Sequence, residues 1–85
     1  MFFEEVLPLL RNGARAQRQG WNGKGLWVEL QKPDANSKMT LPYFYITYPP
    51  KADGTPEARV PWTPSITDIL TDDWEATMMP GIDPT

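Results

Sequence analysis

The 85-residue sequence contains neither cysteine nor histidine. Without cysteine, no disulfide can stabilise the chain, and its redox compartment cannot be inferred from cysteine usage. Without histidine, the chain lacks the commonest general base and the commonest metal ligand. These two absences exclude the usual zinc sites and nucleophile–base pairs, so the sequence predicts no metal, no cofactor and no catalytic residue.

Long apolar runs and an excess of basic charge are also missing. Glu4 and Glu5 directly follow Met1-Phe2-Phe3, so the start of the sequence has neither the basic residues nor the apolar run of a signal peptide. Nothing in the sequence approaches the length of a transmembrane span. The net charge is −3, which argues against a basic face for nucleic-acid polymers. We expect a cytoplasmic protein that binds neither nucleic-acid polymers nor membranes.

The small size of the chain limits the stability that its own core can provide. A domain of this length buries a modest fraction of its surface and is only marginally stable on its own. Without disulfides or a metal, the remaining sources of stability are heavy core residues and oligomerisation. The sequence has four tryptophans, three tyrosines and three phenylalanines, so we expect an aromatic core together with a homo-oligomer.

Two helices are predicted. Apolar residues at helical spacing indicate a first helix from about Phe2 to Leu10, and Gly13 is placed to end it. Pro8 opposes this interpretation, because proline removes one helical hydrogen bond and clashes with the preceding turn. Thr63 as N-cap and Pro64 as the first helical residue predict a second, short helix that ends at about residue 70.

Strand patterns complete the predicted fold. The 43–48 segment is aromatic or branched on both faces, so we expect both faces to be covered, the second by another subunit. Pro61 confines its own strand to an edge or a bulge of the sheet. The predicted class is α+β, with an antiparallel sheet in a single ligand-binding domain at residues 1–79 and a polar tail at 80–85. Strands are predicted at 14–19, 26–31, 43–48, 59–62 and 74–78.

The 20–27 stretch, GWNGKGLW, is the most informative part of the sequence. The stretch contains three glycines, and its two tryptophans, Trp21 and Trp27, bracket Asn22 and Lys24. Glycine lets the backbone approach a ligand closely, an indole offers a flat apolar face, and the amide and ammonium groups are donors. Together these features suit a nucleotide. The same residues also fit an ordinary hairpin turn at Asn-Gly with a neighbouring tryptophan in the core.

Two separate motifs carry a resemblance to a known family. They are RQGWNGKG at 18–25 and VPWTPSITDIL at 60–70, the second followed by DDWE at 72–75. In order and spacing they resemble the type-2 Thoeris anti-defence proteins of phages and prophages. The resemblance covers nearly the whole chain, although residues 32–57 match only as strand and loop.

This resemblance implies a function in immune evasion. In Thoeris defence, a sensor enzyme makes a cyclic isomer of ADP-ribose that activates a cell-killing effector. Family members bind this signal and leave it intact, and some also hold cyclic dinucleotides. They form homotetramers with ligand pockets between subunits. The resemblance therefore implies a protein that sequesters a cyclic ADP-ribose isomer and is not an enzyme.

The chemistry of such a ligand suggests a role for each candidate residue. Trp21 or Trp62 can stack on adenine, backbone N–H groups near Gly23 can bind pyrophosphate, and Asp68 can accept from ribose hydroxyls. The predicted ligand-binding residues are Trp21, Asn22, Gly23, Lys24, Trp62, Ser65, Thr67 and Asp68. The residues predicted to contact either the ligand or another subunit are Arg15, Arg18, Trp27, Tyr45 and Trp74.

Other interpretations of these residues stay open. Trp62 can be a core residue, Lys24 a solvated turn lysine and Asp68 a helix-surface charge, while Ser65 and Thr67 can cap a helix. For the whole protein, Asp68 paired with Asp72 or Asp73 could hydrolyse the nucleotide or hold a metal. Alternatively, the 43–48 strand could pair with a strand edge of a host protein and inhibit it.

Overall fold

The structure, a computed structural model, describes residues 1–21 and 25–78. Asn22, Gly23 and Lys24 of the predicted site lie outside this part of the chain, as does the predicted tail at 80–85. Neither described helix has the length and apolar character needed to cross a membrane. The elements are α1 (Phe3–Arg11), β1 (Arg15–Arg18), β2 (Trp27–Gln31), β3 (Tyr43–Tyr48), β4 (Ala58–Pro61), α2 (Ile66–Leu70) and β5 (Trp74–Thr77).

The five strands form one antiparallel sheet in the order β4-β3-β2-β1-β5. The predicted α+β class is therefore confirmed, and Pro61 lies on an edge strand as expected. Ala16 pairs with Val28, and Val28 pairs with Ile46, which puts small and branched side chains on one face. Together with α1, this face forms the core, whose buried residues are Phe3, Val6, Leu10, Ala16, Val28, Ile46 and Trp74.

Helix α1 tolerates its proline and ends at the predicted glycine. Pro8 lies on the exposed side of the helix, where the missing hydrogen bond leaves a carbonyl that water can reach. At the end of α1, the Gly13 N–H donates to the Leu10 carbonyl and the Ala14 N–H donates to the Leu9 carbonyl. These are the two hydrogen bonds of a Schellman motif. Gly13 has a φ of 96°, a conformation that glycine adopts without strain.

The predicted start of α2 at Thr63 is wrong. The helix begins two residues later than predicted, with Ser65 as its N-cap. The Ser65 hydroxyl accepts from the Asp68 N–H at 3.0 Å, and the Asp68 carboxylate accepts from the Ser65 N–H at 2.8 Å. This reciprocal capping box satisfies two N–H groups at the helix start. A start at Thr63 would put Ile66 in the place of Asp68, and isoleucine has no acceptor.

The sheet face opposite the helices is the open sheet face. Helix α1 packs against the other face, where Phe3 contacts Phe44 and Trp74. Helix α2 packs beside α1 on the same side, and the Asp68 carbonyl of α2 accepts a hydrogen bond from the Trp74 indole. The cross-strand register places Trp27 opposite Thr47 and Glu29 opposite Tyr45 on the open sheet face. The side chains that the register assigns to this face are those of Arg15, Gln17, Trp27, Glu29, Gln31, Tyr43, Tyr45, Thr47, Arg59, Pro61, Glu75 and Thr77.

Candidate functional site

Three tryptophans from distant parts of the sequence meet on the helix side of the sheet. This indole cluster consists of Trp21, Trp62 and Trp74, with ring centroids 5.4–6.2 Å apart in edge-to-face pairs. Trp74 is buried, whereas Trp21 and Trp62 are half-buried. Edge-to-face contact stabilises aromatic pairs beyond simple burial. Trp74 therefore belongs to the core, and the two other indoles keep surface that a ligand can reach.

Next to these indoles lies the Arg18 cluster, formed by Arg18, Asp68 and Asp73. Arg18 Nη1 donates to Asp68 Oδ1 at 2.7 Å, and Arg18 Nε donates to Asp73 Oδ1 at 2.8 Å. Arg18 Nη2 lies 3.4 Å from Asp73 Oδ2. The three side chains are 14%, 11% and 26% exposed, respectively. The planar fork of a guanidinium group suits such contacts with two carboxylates.

The Arg18 cluster also holds the beginning of the 20–27 loop. The Gly20 N–H donates to Asp73 Oδ2 at 2.9 Å, and the Trp21 indole N–H donates to Asp68 Oδ1 at 3.4 Å. The Trp21 backbone N–H donates to the carbonyl of Arg18 at 3.2 Å. Charged side chains therefore fix the start of the loop at two points, the Gly20 backbone and the Trp21 indole.

The same contacts set the charge state of the Arg18 cluster. Burial favours the protonated form of Asp68, but hydrogen bonds from Ser65, Arg18 and Trp21 outweigh burial and hold the pKa of Asp68 below its usual value. The hydrogen bond from Arg18 is the largest cause of the lowered pKa of Asp73. The hydrogen bond to Asp73, in turn, is the main reason that the pKa of Arg18 is raised. All three groups are therefore charged at neutral pH.

A cleft of about 370 Å³ opens beside the loop. This volume falls within the range of pockets that hold small molecules. Gln19 donates to Glu75 at one wall of the cleft, and Gln17 lies 3.5 Å from the same carboxylate. The lining residues are Gln17, Arg18, Gln19, Trp21, Gly25, Leu26 and Glu75.

The open sheet face carries a second group of polar and aromatic contacts. The Arg15 guanidinium lies 4.6 Å from the centroid of the Trp27 ring, in cation–π geometry. Glu29 accepts from the Trp27 indole at 3.3 Å and from the Tyr45 hydroxyl at 2.7 Å. Burial, reinforced by Glu29, raises the pKa of Tyr45 to about 12. Thr47 is buried below these side chains, and its hydroxyl has no hydrogen-bond partner among the residues described.

The structure divides the predicted site residues into three sets. Those on the helix side of the sheet are Trp21, Trp62, Trp74, Arg18, Ser65, Thr67 and Asp68, and Thr67 is exposed on α2. Those on the open sheet face are Arg15, Trp27 and Tyr45. The third set, Asn22, Gly23 and Lys24, lies outside the residues described.

The sequence did not predict the structural roles of two carboxylates, those of Asp73 and Glu29. Asp73 was considered only as a partner in a catalytic carboxylate pair, yet it holds Arg18 and Gly20. Glu29, the acceptor for Trp27 and Tyr45, received no role at all. Its negative charge was the one feature of the sequence that could have identified Asp73 as a partner of Arg18. Several other acidic residues lie near the end of the sequence, and charge alone does not distinguish Asp73 from them.

Comparison with known proteins places these features in a family. A family model for the Thoeris anti-defense 2-like domain matches residues 1–77. Thoeris anti-defense 2 of Bacillus phage SP01 is 34% identical to this chain, and the match covers 88% of this chain and 92% of the relative. The indole cluster and the Arg18 cluster both lie within the matched residues. With a match over so much of its length, the chain belongs to the Thoeris anti-defense 2 family.

Proposed function

We propose that this protein counters Thoeris defence by sequestering a cyclic isomer of ADP-ribose in the host cytoplasm without degrading it. Cyclic dinucleotides are a second ligand class in this proposal. Family membership supports the anti-defence role. The observation that carries the ligand proposal is the pair of half-buried indoles, Trp21 and Trp62, of which Trp21 lines the cleft beside the loop.

In the proposed complex, the adenine ring stacks on Trp21, with Trp62 packed against that indole. Stacking of a base on an aromatic side chain contributes about 1–3 kcal/mol. Lys24 and the neighbouring backbone N–H groups provide positive charge and donors for the pyrophosphate. Ribose hydroxyls bond to Thr67 or Asp68. Thr67 is the freer of the two, since both oxygens of Asp68 already accept hydrogen bonds within the protein.

The charge state of the carboxylates favours sequestration over degradation. A general acid works best with a pKa near the working pH, but the pKa values of Asp68 and Asp73 are both lowered. The third aspartate of the hydrolase alternative, Asp72, lies 3.5 Å from the N-terminal amine of Met1. The carboxylates that a hydrolase would need are thus paired with cations.

A depletion-and-release experiment with Trp21→Ala tests this proposal. We expect the wild-type protein to remove the cyclic ADP-ribose isomer from solution and to return it intact after heating. Loss of the stacking contact should weaken binding by about 10- to 100-fold. Because Trp21 also packs on Trp74, the variant Trp21→Leu retains apolar bulk and should show the same loss. Tyr48→Ala removes an exposed aromatic side chain elsewhere and serves as the matched control.

Each other outcome of this experiment points to a different function. Release of an altered nucleotide would identify an enzyme. Wild-type protein that leaves the nucleotide in solution would set this ligand aside, and cyclic dinucleotides would be the next probe. Failure with both ligand classes, combined with stoichiometric capture of a host protein, would favour the inhibitor alternative. Unchanged affinity in folded Trp21→Ala would contradict the stacking role of this residue.

We also propose that the open sheet face joins copies of the chain into a homotetramer. Trp27 and Tyr45 give this face apolar area, and buried Thr47 has an unpaired hydroxyl among the residues described. Trp27→Glu should convert the tetramer to smaller species in sedimentation experiments, because it removes apolar area and places a second carboxylate beside Glu29. Leu41→Glu, at a 74% exposed position, should leave the mass unchanged. A monomeric wild-type protein would contradict the proposal.

A further inference from the structure

The guanidinium group of Arg18 is occupied within the protein. Its Nε and both terminal nitrogens lie within 3.4 Å of oxygens of Asp68 or Asp73. The side chain is only 14% exposed, although it forms part of the cleft wall. To bind a phosphate, Arg18 would have to leave one carboxylate without its charged partner, which is costly for a group shielded from water. Its geometry therefore fits an internal role better than a ligand contact.

The two carboxylates that form ion pairs with Arg18 also accept hydrogen bonds from Gly20 and Trp21, which follow it in the sequence. Asp73 accepts from the Gly20 N–H, and Asp68 accepts from the Trp21 indole. The Arg18 carbonyl accepts from the Trp21 N–H. One side chain thus links the turn backbone and the indole ring to two separate segments, α2 and the residues before β5.

A side chain at Gly20 would press on the Arg18 cluster. A β-carbon built at this position would lie 2.8 Å from Asp73 Oδ2 and 3.3 Å from Arg18 Nη2. The φ of Gly20 is not positive, so the constraint comes from the Arg18 cluster and not from the backbone conformation. Alanine at this position would displace the Asp73 carboxylate, while every charge of the cluster would remain.

We propose that Arg18 is a positioning residue, which fixes the Trp21 ring and the Gly20 backbone through Asp68 and Asp73 and makes no contact with the nucleotide. This inference rests on the proposed function. A binding group that is held in place before the ligand arrives loses less conformational entropy on binding. The benefit is tighter binding, because the indole does not have to be ordered anew in each complex.

Gly20→Ala and Arg18→Lys test this role, with the cyclic ADP-ribose isomer as the probe and calorimetry as the measurement. Lysine keeps the charge but lacks the fork that bonds two carboxylates. We expect each folded variant to bind about ten-fold more weakly than wild type, the loss that a missing charge-assisted hydrogen bond would produce. Arg11→Lys, a change at an exposed arginine of α1, is the matched control and should bind normally.

Two readouts separate positioning from a general loss of stability. In heteronuclear NMR spectra of the free proteins, the Trp21 indole N–H signal should shift in both variants, while that of Trp27 stays in place. The pH profile of binding should also change in Arg18→Lys. Affinity is lost as the pH falls through the folded pKa values of Asp68 and Asp73. Because these values rise when hydrogen bonds from Arg18 are removed, the loss should begin at a higher pH.

Several results would overturn the positioning role. Weaker binding in Arg18→Lys with normal binding in Gly20→Ala would indicate direct contact between Arg18 and the ligand. Normal binding in both folded variants would show that the cluster has no influence on the site. If wild-type protein leaves the probe in solution, the proposed function fails, and the indole signal then decides alone: an unshifted Trp21 signal in both variants rejects the role, and a shifted one retains it.

Discussion

Trp74→Ala is expected to lower the free energy of unfolding by about 3–5 kcal/mol, the usual cost of truncating a buried aromatic residue. Trp74 is 1% exposed and contacts the rings of Phe3, Trp21 and Trp62. Its indole N–H also donates to the carbonyl of Asp68 at 2.7 Å. The substitution therefore opens a cavity among the aromatic residues and leaves a buried carbonyl without its donor. In a domain of this size, such a loss is a large part of the total stability.

Urea denaturation followed by circular dichroism measures the loss of unfolding free energy in Trp74→Ala. Two further variants serve as comparisons. Trp74→Phe keeps a ring but removes the indole N–H, so it should fall between wild type and Trp74→Ala. Ile66→Ala, at a 78% exposed position, should change stability by less than about 0.5 kcal/mol. A loss below about 1 kcal/mol in Trp74→Ala would contradict the central place that we assign to this residue.

Local patterns predicted the order of the elements well. The 43–48 strand was predicted with the bounds of β3, because branched and aromatic residues lie between a polar loop and two prolines. The end of α1 at Gly13 was also predicted and is confirmed, since a Schellman motif depends on residues close in the sequence. In both cases the information needed for the prediction lies within a few positions of the residue concerned.

The organisation of the candidate site depended on contacts that local patterns do not encode. Arg18 and Asp73 are 55 positions apart and meet because β1 lies between β2 and β5 in the sheet. Hydrophobic periodicity predicts which face of a strand is buried, but it does not identify the carboxylate with which an arginine forms an ion pair. The prediction of where α2 begins failed for a related reason. Thr63-Pro64 and Ser65-x-x-Asp68 are both helix-start signals, and only the second gives a reciprocal cap.

The sheet order also explains why two proposed activities can occur in so small a protein. Strand β1 lies between β2 and β5, and its successive side chains point to opposite faces of the sheet, as in any strand. Arg18 faces the helices and the indole cluster, whereas Arg15 faces Trp27 on the open sheet face. The Arg18 cluster of the proposed ligand site and the Arg15 side chain of the proposed subunit interface are therefore only three residues apart in the sequence. The two surfaces meet at the cleft, where Gln17 and Glu75 of the open sheet face lie beside Arg18 and Trp21.

Asp68→Ala is expected to lower the free energy of unfolding by about 3–5 kcal/mol at neutral pH. It removes a carboxylate that is 11% exposed and leaves Arg18 with a single partner, and breaking a buried ion pair has a cost of this size. It also removes half of the capping box with Ser65 and the acceptor for the Trp21 indole. Asp68→Asn retains an acceptor oxygen, so it should be less destabilising than Asp68→Ala and should isolate the contribution of the charge.

The pH dependence of these variants provides the sharper test. Because the pKa of Asp68 is lowered in the folded protein, its charge contributes stability that is complete above the usual aspartate pKa and is lost as the pH falls through the folded value. The difference in unfolding free energy between wild type and Asp68→Asn should therefore be largest near neutral pH and shrink in acid. Asp72→Asn, which alters a 67% exposed carboxylate, should change stability by less than about 1 kcal/mol. A wild-type to Asp68→Asn difference that stays constant into acid would show that shape and hydrogen bonding, and not the ion pair with Arg18, account for the role of Asp68.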